Sequence, residues 1–173
     1  MTNEGPRTFS FGPYQNTIIG PELSVGDPAP NFSLKANDLS TVTLDDSRGK
    51  TRLISVVPSL DTGICDAQTR RFNEEISKLG DEVVGYTVSV DLPFSQKRWC
   101  GNAGVERVQT LSDHFDMNFG KAYGTYAQEL RLEQRAVFVV GQDDKIHYAE
   151  YLPVAGQHPD YDAALAALKK VAG

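Results

Sequence analysis

The chain has 173 residues, of which 40% are hydrophobic and 23% charged, with a formal net charge of −6. That is enough to bury a core without disulfide staples; it excludes wholesale disorder and disfavours nonspecific binding to nucleic acid or anionic membrane. No run of about 18 apolar residues offers a membrane span, and the opening MTNEGPRTFSFGP lacks the regions of a secretory signal, so the expected compartment is the cytoplasm.

The first 25 residues hold two short β-like pieces, Thr8–Phe11 and Thr17–Ile19, separated by the turn residues Gly12, Pro13 and Asn16. They predict an N-terminal β-hairpin. Phe32–Lys35 and Val42–Leu44 read as short strands. The β-branched run Arg52–Val57, stopped by Pro58, suits a buried central strand. Phe72, Ile76 and Leu79 then recur at helical spacing up to Gly80.

Val83–Val90 is a second apolar strand. Pro93 opens a short helix to Ala103, at a position where its missing N–H costs nothing. Val108–Leu111 reads as a strand, Phe119–Tyr126 as partly helical and Gln128–Arg131 as loop. Ala136–Val140 and Lys145–Tyr151 flank the turn at Gln142–Asp144 as a hairpin, and Asp160 caps a last helix over 161–171. Alternating strands and helices argue for an α/β fold, a central mixed sheet with helices on both faces. No composition shift marks a boundary, so one domain over 1–173 is expected.

Two cysteines in a reducing compartment are either inert or chemically active, rather than structural. Cys65 falls between the end of a buried strand and the first turn of a helix, where reactive groups of open α/β sheets gather. Helix N-termini carry unpaired N–H groups and partial positive charge, which favour a thiolate. Thr62 is placed to donate to the sulfur or to a bound oxygen, and Pro58 to shield the pocket. On the residues alone an inert buried cysteine stays the commoner outcome. Thr62 reads equally as a helix cap and Pro58 as a strand terminator.

The combination is more specific. Pro58-Ser59-Leu60-Asp61-Thr62-Gly63-Ile64-Cys65 resembles the active-site motif of the peroxiredoxins, in particular the bacterial thiol peroxidase subfamily. The likeness continues through Thr69–Asn73, Asp91-Leu92-Pro93-Phe94-Ser95-Gln96-Lys97-Arg98-Trp99-Cys100, Leu111–His114 and Arg135–Val139. It implies a thioredoxin-like fold and a two-cysteine peroxidase cycle. In that cycle Cys65 attacks peroxide, Cys100 resolves the oxidised sulfur as an intrachain disulfide, and thioredoxin reduces it. Thr62 matches the residue that contacts sulfur and peroxide, Pro58 the shielding proline and Arg135 the pocket arginine, with Arg131 as a rival for the last role. The family also implies a homodimer.

Joining Cys65 to Cys100 is expected to need local unwinding, eased by Gly101 and Gly104. Leu60 and Ile64 lean towards organic peroxides. No cofactor or metal is expected: His114, His147 and His158 lack ligand spacing, and no nucleotide-binding glycine motif is present. Two rivals share these cysteines: a redox-sensing or chaperone-like module that does not turn over, and a structural thioredoxin-fold protein with inert thiols.

Overall fold

The computed structural model describes residues 6–172; the first five residues, part of the segment read for a signal, lie outside them. β1 (Thr8–Phe11) and β2 (Tyr14–Ile19) form the expected hairpin. β3 (Ser33–Lys35) and β4 (Thr41–Thr43) pair antiparallel, and Leu44 opens a 3-10 turn rather than extending the strand. β5 (Thr51–Val56), α1 (Gly63–Ser77), β6 (Val83–Ser89), α2 (Pro93–Ala103) and β7 (Val108–Ser112) follow in alternation. The chain continues through α3 (Asn118–Tyr123), β8 (Tyr126–Ala127), β9 (Leu132–Glu133), β10 (Ala136–Val140), β11 (Ile146–Tyr151) and α4 (Tyr161–Ala172).

The main sheet has the order β11-β10-β5-β6-β7-β3-β4. β5, β6 and β7 run parallel, and the flanking strands antiparallel, so the sheet is mixed as expected. Successive side chains of a strand point to opposite faces. Ile54, Val56, Phe138 and Val140 therefore join Phe32, Phe119 and Tyr123 on the face covered by α3. Leu53, Val137 and Val139 pack on the other face with Phe72 and Ile76 of α1 and Leu165 and Leu168 of α4. Each such fully buried aliphatic or aromatic side chain stabilises the fold by about 1.5–3 kcal/mol before entropy is counted.

Residues 119–127 differ from the sequence expectation. The helix stops at Tyr123, because Gly124 takes φ +70° and its N–H closes on the Gly120 carbonyl. Tyr126–Ala127 then pairs with β2 and with Leu132–Glu133, making a second sheet β1-β2-β8-β9. Ser10 of β1 also bridges in parallel to Val154. Its N–H donates to Pro153 O (2.8 Å), and its carbonyl accepts from Ala155 N (2.8 Å). The N-terminal hairpin is thus stitched to the segment before α4.

Candidate active site

β5 delivers the chain to Val57 and Pro58, both buried, and α1 starts after Thr62. The approach is fastened by Asp91 beyond β6. Its Oδ2 accepts from Leu60 N (2.8 Å) and Ser89 Oγ (2.7 Å), and its Oδ1 accepts from Ser59 Oγ (2.8 Å). Cys65 lies in the first turn, fully buried against Val57 and Leu60, with Trp99 packed on the cluster.

Thr62 occupies the N-cap with extended backbone, yet its hydroxyl caps no helical N–H. It lies 2.7 Å from Cys65 Sγ and 3.1 Å from Ser59 O, one hydrogen between two acceptors. The cap reading of Thr62 is therefore set aside. Arg135 also reaches the sulfur, Nη2 to Sγ at 3.3 Å. It does so because β10 pairs antiparallel with β5, Ala136 beside Val56, which puts the residue before β10 at the C-terminal end of β5. Arg131 is elsewhere: it takes φ +55° and donates to His114 O (3.1 Å).

Arg135 is held by two further acceptors. Nη1 donates to Gln68 Oε1 (3.0 Å), and Nη2 also donates to Ala155 O (2.9 Å). Gln68 in turn donates to Ser55 Oγ on β5 (2.7 Å). Sequence reasoning missed Gln68 and Asp91. A signal existed for Gln68, a polar residue within the buried stripe Cys65, Thr69, Phe72, Ile76 of α1.

A buried guanidinium cannot shed its proton and is costly without a counter-charge. Among the described residues Arg135 forms no ion pair with a carboxylate. The anion it can face is the Cys65 sulfur. Tyr161, at the start of α4, senses the same charges: burial raises its phenol, Arg135 and Arg71 pull it down, and Cys65 pushes it up.

Cys100 is not part of this constellation. It is partly exposed on α2, and its Sγ lies 3.4 Å from Thr110 Oγ1. Thr110 spends its hydrogen on Asn37 Oδ1 (3.0 Å), so towards Cys100 it acts as an acceptor from a thiol. Both cysteines are free.

Comparison with known proteins places this arrangement. The Redoxin family matches residues 24–165. The chain belongs to the Redoxin family. Relatives named thiol peroxidase, from Halalkalibacterium halodurans and Bacillus subtilis, are 61% and 54% identical over 162 residues each. Those alignments cover 94% of this chain and 96% and 95% of theirs. A solved peroxiredoxin-like protein from Aquifex aeolicus superposes with TM-score 0.87 at 32% identity, covering 95% of this chain and 97% of that one. A thiol peroxidase from Chromobacterium violaceum shares the fold, with TM-score 0.85 at 21% identity and coverage of 95% and 96%. The peroxiredoxin resemblance and the thioredoxin-like α/β expectation are both borne out for this Redoxin chain. No described helix is long and apolar enough to cross a membrane.

Proposed function

We propose that this protein is a thiol-dependent peroxidase that reduces hydrogen peroxide and organic hydroperoxides. The observation that carries the reading is the pair of donors, Thr62 Oγ1 and Arg135 Nη2, converging on one buried sulfur, the arginine having no carboxylate partner among the described residues. The relatives named thiol peroxidase support it.

The Cys65 thiolate attacks the distal peroxide oxygen along the O–O axis. The S–O bond forms as O–O breaks, and the leaving oxygen departs as hydroxide or alkoxide and is protonated to water or alcohol. Thr62 and Arg135 pass their hydrogen bonds from the sulfur to the peroxide oxygens, where negative charge develops. A preorganised donor of this kind is commonly worth about 1.5–3 kcal/mol, roughly tenfold to a hundredfold in rate. Pro58, buried at the end of β5, shields the sulfur from water.

Cys65 is left as a sulfenic acid. The Cys100 sulfur displaces its hydroxyl, giving a Cys65–Cys100 disulfide and water. A dithiol, here assigned to thioredoxin, then takes the oxidising equivalent through a mixed disulfide and becomes a disulfide itself. The proposed setting is the cytoplasm, with the whole chain acting as one domain. A homodimer is proposed too, supported by the exposed Leu92, Phe94 and Phe115 that follow β6 and β7.

The test is peroxide consumption with thioredoxin and its reductase. Cys65→Ser is expected to lose at least a thousandfold in activity. Cys100→Ser is expected to consume one equivalent of peroxide and then stall, with no species two protons lighter on non-reducing mass analysis. A Cys65→Ser variant that keeps turnover overturns the reading.

A further inference from the structure

The assigned disulfide poses a mechanical problem. Cys65 Sγ is engaged with Thr62 and Arg135, while Cys100 Sγ faces Thr110 and a separate cleft of about 680 Å³ lined by Asn37, Lys50, Arg107 and Thr110. A disulfide brings two sulfurs to about 2.05 Å, so Cys100 must leave its contacts and travel with its part of α2.

α2 is divided in how it is held. Its buried residues, Pro93 and Gln96, lie in its first half, where Gln96 Nε2 donates to Leu111 O and Ser89 Oγ (3.0 Å each). The second half carries Gly101, which costs a helix interior about 1 kcal/mol relative to alanine, and ends at Gly104 with φ +68°. That half is tied to α1 by the packing of Trp99 and Ala103 on the core and by three side chains. The Trp99 indole N–H donates to Asp66 Oδ1 (2.9 Å), and Arg70 Nε donates to Asp66 Oδ2 (2.8 Å). The Arg70 guanidinium lies over the indole ring, 5.7 Å from its centroid, and its Nη1 reaches Ala103 O (3.3 Å), the last residue of α2. Trp99 is therefore held at its edge by Asp66 and over its face by Arg70, one residue from Cys100. Asp66, Arg70 and Trp99 also line a groove of about 590 Å³ together with Leu60, Thr62 and Asn102.

We infer that Asp66, Arg70 and Trp99 form a latch that sets how fast Cys100 reaches oxidised Cys65. They are positioning residues: they hold α2 wound while peroxide reacts and must part before the disulfide closes. The inference rests on the Cys65–Cys100 reading above. Weakening the latch should speed resolution and leave the peroxide step alone.

The experiment oxidises reduced protein with one equivalent of hydrogen peroxide, traps sulfenic acid with dimedone at timed intervals and counts adduct and disulfide by intact mass. Arg70→Ala keeps the fluorophore and alters a half-exposed side chain; Trp99→Phe keeps an aromatic ring and removes the N–H. Arg70→Ala, which loses a partly exposed ion pair and a cation–π contact, is expected to close the disulfide about fivefold faster, and Trp99→Phe, which loses one hydrogen bond, about threefold faster. The second-order peroxide rate of Arg70→Ala should stay within twofold of wild type, and amide exchange over 98–103 should quicken in both variants by a similar factor. Arg70→Lys, which retains the charge, should fall between. Disulfide closure at the wild-type rate or slower in both variants overturns the latch, even if exchange quickens. If wild type forms no disulfide and Cys100→Ser behaves like it, the Cys100 reading fails and the latch falls with it.

Discussion

Arg52 and Arg135 are both large, buried cations that flank opposite ends of β5, and their surroundings differ in one respect. Arg52 meets a carboxylate, Asp144 Oδ1 at 2.7 Å, and also donates to Ser47 Oγ, Leu44 O and Gly141 O. Among the described residues Arg135 meets only neutral oxygens and the Cys65 sulfur, and its Nε has no partner. The first arrangement completes a structural clamp at the base of the strand. The second leaves positive charge to be answered by whatever anion forms at the sulfur. The same residue type thus has its charge answered by a carboxylate at one end of β5 and left open at the other, as the proposed peroxide chemistry requires.

Four substitutions test that contrast. Arg52→Met should cost about 3 kcal/mol of stability in urea unfolding, because it strands several buried acceptors, while the peroxide rate per folded molecule stays near wild type. Arg135→Met should do the reverse: a loss of about a hundredfold in the second-order peroxide rate, with little loss of stability, since it removes a buried charge that no carboxylate balances. Equal stability losses in the two variants would collapse the distinction. Thr62→Val should slow the same step by about tenfold, the scale of one hydrogen bond to a charged centre; stopped-flow oxidation reads it directly.

The smallest effect concerns Glu133, a buried acid that meets the same cost differently. Burial raises its carboxyl well above the usual carboxylate range, and the neighbouring Asp113 raises it further, while the Thr125 hydroxyl opposes this. An arginine cannot escape by changing protonation, whereas a glutamate can. With the folded-state value above the unfolded one, Glu133 favours folding most at low pH, and that contribution is lost as pH rises from the ordinary glutamate range towards the raised value. Glu133→Gln removes the dependence. Its stability advantage over wild type should grow with pH by up to about 1.4 kcal/mol per unit over that window. Parallel stability profiles at pH 5 to 8 would show that Glu133 ionises freely.

Much of this was legible in the sequence where a signal is local. The strands at 51–56, 83–89 and 136–140 are apolar runs, Pro93 marks the start of α2, and Asp160 caps α4 by accepting from Ala163 N. The motif at 58–65 pointed to Cys65, Thr62 and Pro58. Less legible was anything that depends on which strands pair. β8 and β9 have two residues each and carry no periodicity, so the second sheet was not foreseen. Gln68 holds Arg135 only because β10 runs antiparallel to β5 and α1 turns its buried stripe towards both. Ser55, inside the run read as a buried strand, accepts the hydrogen bond that anchors Gln68. The contact of Cys100 with Thr110 is likewise a fact of packing, although the placing of the two cysteines on separate helices already implied unwinding to join them.

The stitch between Ser10 and the Val154–Ala155 segment bears on how the chain can be re-engineered. Ala155 O is one of the acceptors that aim Arg135, so the N-terminal hairpin and the redox centre form one mechanical unit. New termini or a bulky label belong at the exposed Gly12–Pro13 tip, where a circular permutant keeps every rung of the ladder. A chain trimmed back into β1 would still have its cysteines, and its arginine would have lost a guide rail.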